Sequence, residues 1–239
     1  MTWSIIARDP GTGQFGIAVA TRFFAVGARV PYIAAGLGAI ATQAFVNPYY
    51  GIDGVKLLRE GLNAHDVLAS LLATDDGRES RQIHIMDASG EIAAHTGRDC
   101  VDWCGHIAGS GFSVAGNMLA GADVLDETAK TYIANDSLPF PRRLLAAMRA
   151  GEAAGGDKRG KQSAALLIHG DEEWSALNLR VDDHADPLRE LERLEQVSRE
   201  RWVHFRAFLP TRDNPAGITD RAAIDAGVAA GIAAMAAQT

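Results

Sequence analysis

The chain has two cysteines, Cys100 and Cys104, among 239 residues. That excludes the disulfide framework that staples small secreted domains. Two sulfurs without a second Cys pair also make a poor zinc site, and we read both as reduced thiols. No apolar run approaches the roughly 18 residues that span a bilayer, so no membrane partner is expected. Lys and Arg form no block, and the formal net charge is −7. A general nucleic-acid binder needs clustered cations and is excluded on that ground. No basic segment followed by an apolar stretch opens the chain, so no secretory leader is read and a cytoplasmic protein is expected. Internal repeats and low-complexity segments are absent as well.

What is present is ordinary globular composition, 47% hydrophobic and 22% charged, in a chain long enough to bury a full core. Residues 2–8 read as a strand, 9–13 as a turn and 14–21 as its hairpin partner. A loop over 22–28 leads to a second pair, 30–35 and 39–43, around Gly36-Leu37-Gly38. Four strands without an intervening helix predict an antiparallel sheet. Asn47-Pro48 breaks the pattern, and Val55, Leu57, Leu58 and Leu62 then fit a helical face. Asn63 reads as the N-cap of a second helix. Strands follow at 81–88 and 91–95, then a glycine-rich stretch over 100–111. Asn117 reads as the N-cap of a helix reaching Ile133, and Pro141 as the start of another. A glycine-rich basic loop, 155–161, precedes strands at 163–169 and 174–181. Pro187 starts an amphipathic helix, and an Ala-rich helix from Ile218 closes the chain.

Strands come in hairpins and helices in blocks. That order predicts an α+β fold, a four-layer αββα sandwich of two antiparallel sheets between helical layers, with eight strands and four or five helices. The expected organisation is one domain over 1–204 and a helical appendage over 205–239. Large apolar helices make a homodimer the expected assembly.

The most chemically pointed residue is Thr2. Removal of Met1 would leave Thr2 with a hydroxyl and a free α-amine, the latter titrating near ~8. Such a residue supplies its own nucleophile and its own base. Arg22, after an apolar strand, suits a substrate carboxylate. Lys158, Arg159 and Lys161 lie in a glycine loop that lacks the order of a P-loop, while Gln162 and Ser163 precede a strand and could face a cleft. Asp182, Asp183 and His184 are an alternative constellation, for a metal-dependent hydrolase. At most two of three adjacent strand residues share a face, so they would need partners such as His95 or His106. A third alternative is a noncatalytic ligand-binding or oligomeric module.

Several blocks resemble the domain of unknown function 1028 family. They are Thr2-Trp3-Ser4-Ile5-Ile6-Ala7-Arg8-Asp9-Pro10, Ala18-Val19-Ala20-Thr21-Arg22-Phe23 and Gly38-Ala39-Ile40-Ala41-Thr42-Gln43-Ala44, with Gly109 to Leu119, Gly155 to Ala165 and Leu179 to His184. The resemblance implies an N-terminal-nucleophile (Ntn) hydrolase-like sandwich acting on a small-molecule amide, with no metal or cofactor. Thr2 would be the nucleophile. Thr42 and Gln43, at a strand end, would sit beside it, and backbone amides near Thr42 and Gly109 would stabilise the oxyanion. Gly109, Ser110, Asn117, Arg22, Lys161 and Gln162 would contact substrate. Two departures stand out. Proteasome-type relatives carry an Asp where this chain has Ala20, and a Lys on the third strand where this chain has none, so Arg22 or Arg29 would stand in.

Overall fold

The structure, a computed structural model, describes residues 2–237. By their contacts they fall into two compact units, Met1–Leu191 and Glu192–Thr239. The sequence expectation placed the division at 204/205.

The first unit is built on two antiparallel sheets. The larger holds β1 (Thr2–Arg8), β2 (Phe15–Thr21), β7 (Gly105–Gly109), β8 (Phe112–Asn117), β9 (Ser163–His169) and β10 (Leu177–Val181), in the spatial order β10-β9-β2-β1-β8-β7. The smaller holds β3 (Pro31–Ala34), β4 (Gly38–Ala44), β5 (Arg81–Asp87) and β6 (Ile92–Thr96), in sequence order. The two sheets face each other, chiefly through β1, β2 and β8 against β4 and β5. Helices α1 (Pro48–Arg59) and α2 (Ala64–Ala73) pack on the outer face of the smaller sheet, and α3 (Asp123–Ala134) and α4 (Phe140–Ala153) on that of the larger. The result is a mixed α+β sandwich.

Because both faces of the inner strands are covered, their sequences are apolar on both faces. Along β1, Ile6 points between the sheets and meets Ile17, Val19, Ala39, Ala41 and Met86 in one core. Trp3, Ile5 and Ala7 take the other face. A second core, with Ile40, Ile83, Ile85, Tyr50, Val67 and Leu71, lies under α1 and α2. Asn47 caps α1 by accepting from the Tyr49 N–H, with Pro48 at the first helical position, and Asn63 caps α2 by accepting from the Asp66 N–H.

The helix expected from Asn117 is instead strand β8, and α3 starts only at Asp123. All of Phe112–Asn117 is buried. Its register against β1, with Thr2 opposite Asn117 and Ala7 opposite Phe112, satisfies the backbone groups that a helix would otherwise satisfy internally. The glycine-rich stretch before it supplies β7, hairpinned to β8. Among the described residues there are ten strands and seven α-helices, more than the sequence pattern counted.

In the second unit, the last helix, Arg221–Ala236, is capped by Asp220, which accepts from the Ala222 and Ala223 N–H groups. Gly227 lies against the Phe208 ring and Gly231 against His204, closer than a side chain there would allow. Arg201 and Asp225 form an ion pair at 3.0 Å. Among the described residues, no helix is long and apolar enough to cross a membrane.

The pressure of α4 on the larger sheet can be measured. A Cβ at Gly16, the second residue of β2, would lie 2.7 Å from Leu144 Cδ1 and 2.8 Å from the Phe140 ring. Both neighbours are buried. Gly16→Val therefore lowers unfolding free energy by about 1–3 kcal/mol, read from the urea midpoint at unchanged slope.

Candidate active site

Strand register brings four polar residues into one row at one end of the larger sheet. Asn117 lies opposite Thr2 across β8 and β1, and Ser163 lies opposite Thr21 across β9 and β2. Trp3 faces Ala20, so Thr2 and Thr21 are neighbours, and their hydroxyl oxygens lie 3.3 Å apart. The alternation that points Ile6 into the space between the sheets also points Thr2 and Ser4 there.

Below this row, polar side chains of both sheets lock together. Gln43 Nε2 donates to Gln82 Oε1 at 2.8 Å, to the Ala115 carbonyl at 3.1 Å and, longer, to the Thr2 carbonyl at 3.4 Å. Asn117 Nδ2 donates to Gln82 Oε1 at 3.0 Å and to the Thr2 carbonyl at 3.4 Å. Gln82 Nε2 donates to the Gly116 and Gly105 carbonyls and to Thr96 Oγ1. Ser4 Oγ donates to Gln43 Oε1 at 2.8 Å and lies 2.9 Å from His84 Nε2. With its one proton committed to Gln43, Ser4 accepts from His84, which fixes the Nε2–H tautomer. His84 Nδ1 is then the acceptor for Ser113 Oγ, 2.9 Å away.

His84 is fully buried. Burial first, and the neighbouring His106 second, push its pKa from 6.5 down to about 3. It is a neutral structural hydrogen-bonding group at physiological pH, held in one tautomer.

Above the row a cavity of about 410 Å³ opens to solvent. Thr2, Thr21 and Gln43 form its polar part, and Val26, Val30, Phe23, Phe24, Phe45 and Val46 its apolar walls. Arg29 and Arg159 add two cations. Arg159 is held from behind by Asp157, whose buried carboxylate also accepts from the Arg159 and Arg22 backbone N–H groups. Ala44, next to Gln43, takes a left-handed conformation at φ 68°. A non-glycine residue held there stores about 1–3 kcal/mol of backbone strain, which functional sites often carry.

The structure separates several residues that the sequence placed together. Gln43 is beside Thr2, but Thr42 is not. It shares the outer face of β4 with Ile40, opposite Ile83, and its hydroxyl donates to the Asn47 carbonyl. Its N–H is committed to the Val30 carbonyl. Gly109 and Ser110 lie at the opposite end of β1, where the Arg8 N–H donates to the Gly111 carbonyl. Over a strand of seven residues, a rise of about 3.3 Å per residue puts roughly 20 Å between them and Thr2. They line a different hollow, with Tyr132 and Arg143.

Asn117 does reach Thr2, from a strand rather than a helix cap. Arg22 is exposed and donates to Gln162 Oε1. Gln162 Nε2 in turn donates to Asp183 Oδ1. Lys161 pairs with Glu152 at 2.9 Å and Asp186 at 3.8 Å, beside a separate small hollow. Asp182 pairs with Arg180, and His184 Nδ1 accepts from the Asp186 N–H. Among the described residues, no three His, Cys, Asp or Glu side chains converge to hold a metal ion. Cys100 and Cys104 are free, and burial raises the pKa of both thiols. Met1, whose removal would expose Thr2, lies outside the described residues.

Sequence reasoning passed over Ser4, Thr21, Gln82, His84 and Ser113. A signal was available: each is a polar residue in a largely apolar strand, at the parity of a residue facing the other sheet. Arg159, in the glycine loop, is assigned no role by the sequence, and the turn at Asp157 brings it to the cavity.

An α+β sandwich with a polar, partly cationic cleft at one end of its inner strands is the class this chain presents. Residues 2–191 match the family of unknown function DUF1028, and the chain belongs to that family. The matched region ends where the first compact unit ends. The crystal structure of protein SPO2555 from Silicibacter pomeroyi, of the same family, superposes with a TM-score of 0.84 at 34% identity, covering 92% of this chain and 99% of that one. Anbu, an ancestral β-subunit from Yersinia bercovieri, aligns with a TM-score of 0.40 at 11% identity, covering 82% of this chain and 95% of that one. No curated protein matches.

The buried histidine makes stability depend on pH with a definite sign. An unfolded His84 takes up a proton below about pH 6.5, whereas the folded one stays neutral until about pH 3. The stabilisation is fully present above that range and is lost as pH falls through it, at up to about 1.4 kcal/mol per pH unit. Urea unfolding at neutral and mildly acid pH shows this slope for the wild type, and His84→Gln reduces it by one proton's share.

Proposed function

We propose that this chain is a hydrolase of the N-terminal-nucleophile type that opens an amide bond in a small molecule, with the αββα sandwich of that class as its scaffold. The observation that carries the reading is the position of Thr2. It is the first residue of a central strand, nearly buried, with its side chain on the floor of the cavity.

In this reading the mature chain begins at Thr2. Its Oγ1 attacks the amide carbonyl carbon while its own α-amine takes the hydroxyl proton. The tetrahedral intermediate collapses, the protonated amine passes its proton to the leaving nitrogen, and an ester to Thr2 remains. Water then hydrolyses that ester and restores the threonine. Gln43 and Asn117 hold the Thr2 carbonyl, so they are positioning residues for the nucleophile. The oxyanion is assigned to the backbone amide of the strained Ala44, since the Thr42 and Phe45 amides are committed to the Val30 and Ser80 carbonyls and Gly109 is remote. One such donor contributes roughly 3–4 kcal/mol to barrier lowering. The metal-dependent alternative loses its support because Asp182, Asp183 and His184 are each engaged with a different partner.

Two measurements test the proposal. Intact mass of protein from its native host is expected to lack Met1. Against a library of small amides, Thr2→Ala is expected to abolish hydrolysis while Thr2→Ser retains part of it. A native chain that keeps Met1, or a Thr2→Ala variant with full activity, would sink the mechanism.

A further inference from the structure

The cavity has a charge pattern that says something about its ligand. The whole chain is acidic, with a formal net charge of −7. Yet the cavity is lined by Arg29 and Arg159 and by no carboxylate. Arg159 has a counter-charge, the buried Asp157 behind it. Arg29 differs, because among the described residues no carboxylate pairs with its guanidinium. A cation left without a counter-ion on a partly apolar wall creates a local positive potential that favours an anion. A guanidinium is also the side chain best suited to grip a carboxylate in two parallel hydrogen bonds.

The remaining walls are apolar and unusually open. Phe23, Phe24 and Phe45 are 60%, 55% and 74% exposed, and all three line this one cavity. Arg81 stacks on Phe45 with its guanidinium carbon 5.1 Å from the ring centre, which steadies one of the three rings. Exposed aromatic rings gathered around a concave site are the surface that an apolar ligand group would cover.

We infer that the ligand of this cavity is a small amide that carries a free carboxylate and an apolar or aromatic group, an N-acylated amino acid in chemical class. The carboxylate is bound by Arg29, with Arg159 adding to the field, and the apolar group lies against Phe23, Phe24 and Phe45. The amide bond then lies between the two, over Thr2. The amide part of the inference rests on the proposed role of Thr2, whereas the carboxylate and aromatic parts rest on the cavity alone.

The test uses N-benzoylglycine, N-benzoylalanine and N-benzoylphenylalanine, each compared with its methyl ester. Binding is measured by calorimetry on the full-length Thr2→Ala protein, where no turnover occurs, and benzoate release is measured on the wild type. At least one acid is expected to bind roughly tenfold or more tightly than its ester, and Arg29→Ala is expected to remove that preference. Arg29 is exposed, so the variant is expected to keep the wild-type melting temperature. Arg159 is the poorer choice, because its loss would strand the buried Asp157. Phe24→Ala is expected to weaken acid and ester alike. Equal binding of acid and ester, retention of the preference in Arg29→Ala, or no binding across the panel at millimolar concentration overturns the inference. The ester comparison is made on unaltered Arg29 and so does not depend on that variant folding. Acids that bind through Arg29 without benzoate release refute the Thr2 reading and leave the binding inference standing. Release that ignores the carboxylate does the reverse.

Discussion

The hydrogen bonds made by the Gln82 side chain between the two sheets are the constraint on which the rest of the first unit depends. Its carbonyl oxygen receives Gln43 from its own sheet and Asn117 from the opposite one, and its amide reaches Gly105, Gly116 and Thr96. A buried amide with an unmet donor or acceptor costs about 1–3 kcal/mol per group, so a half-made network would be worse than an apolar core. With every partner in place, the network permits one registration of the two sheets and penalises slips by a residue. An apolar interface alone would tolerate several such registrations. We regard this as the physical reason that an inner layer otherwise rich in Ala, Val and Ile carries so many amides and hydroxyls at one end.

That registration also places Thr2. The carbonyl of Thr2 is held by amides from both sheets, and its hydroxyl lies beside Thr21 on the floor of the cavity. Core packing below, through Ile6, Ile17 and Met86, keeps β1 from sliding along its own axis. Polar network and apolar core thus act in sequence along the same strand, and the end of that strand is the most rigidly specified part of the site. The walls differ in kind. They come from the loop after β2 and the segment after β4, which carry the exposed rings of Phe23, Phe24 and Phe45 and the exposed Arg29. A rigid floor under loop-built walls is a common division of labour in ligand sites.

Much of this was legible in the chain itself. The hairpins of 2–21 and 30–43, the two capped helices after them and the strand pair of β9 and β10 follow from alternation, turn residues and caps, all of them local signals. The α+β class follows from their order. The strand β8 was misread because Phe112–Asn117 is short and Asn117 carries a good capping side chain. Only pairing with β1 shows that its polar groups are met across a ladder. Gly109 and Ser110 were grouped with Thr2 for the same reason, since a stretch read as one loop and helix start turned out to be a hairpin whose tip lies at the far end of the strand.

Sequence alone determined which residues could be nucleophile, cation or amide, and the parity of each along its strand, because side chains alternate by covalent geometry. Tertiary structure decided which face of each strand met which partner. It turned Thr42 outward and Gln43 inward, brought Arg159 to the cavity through the Asp157 turn, and distributed Asp182, Asp183 and His184 among separate partners. Those outcomes depend on strand order and sheet-to-sheet registration. Both are set by contacts between residues dozens of positions apart, which no local pattern in the sequence records.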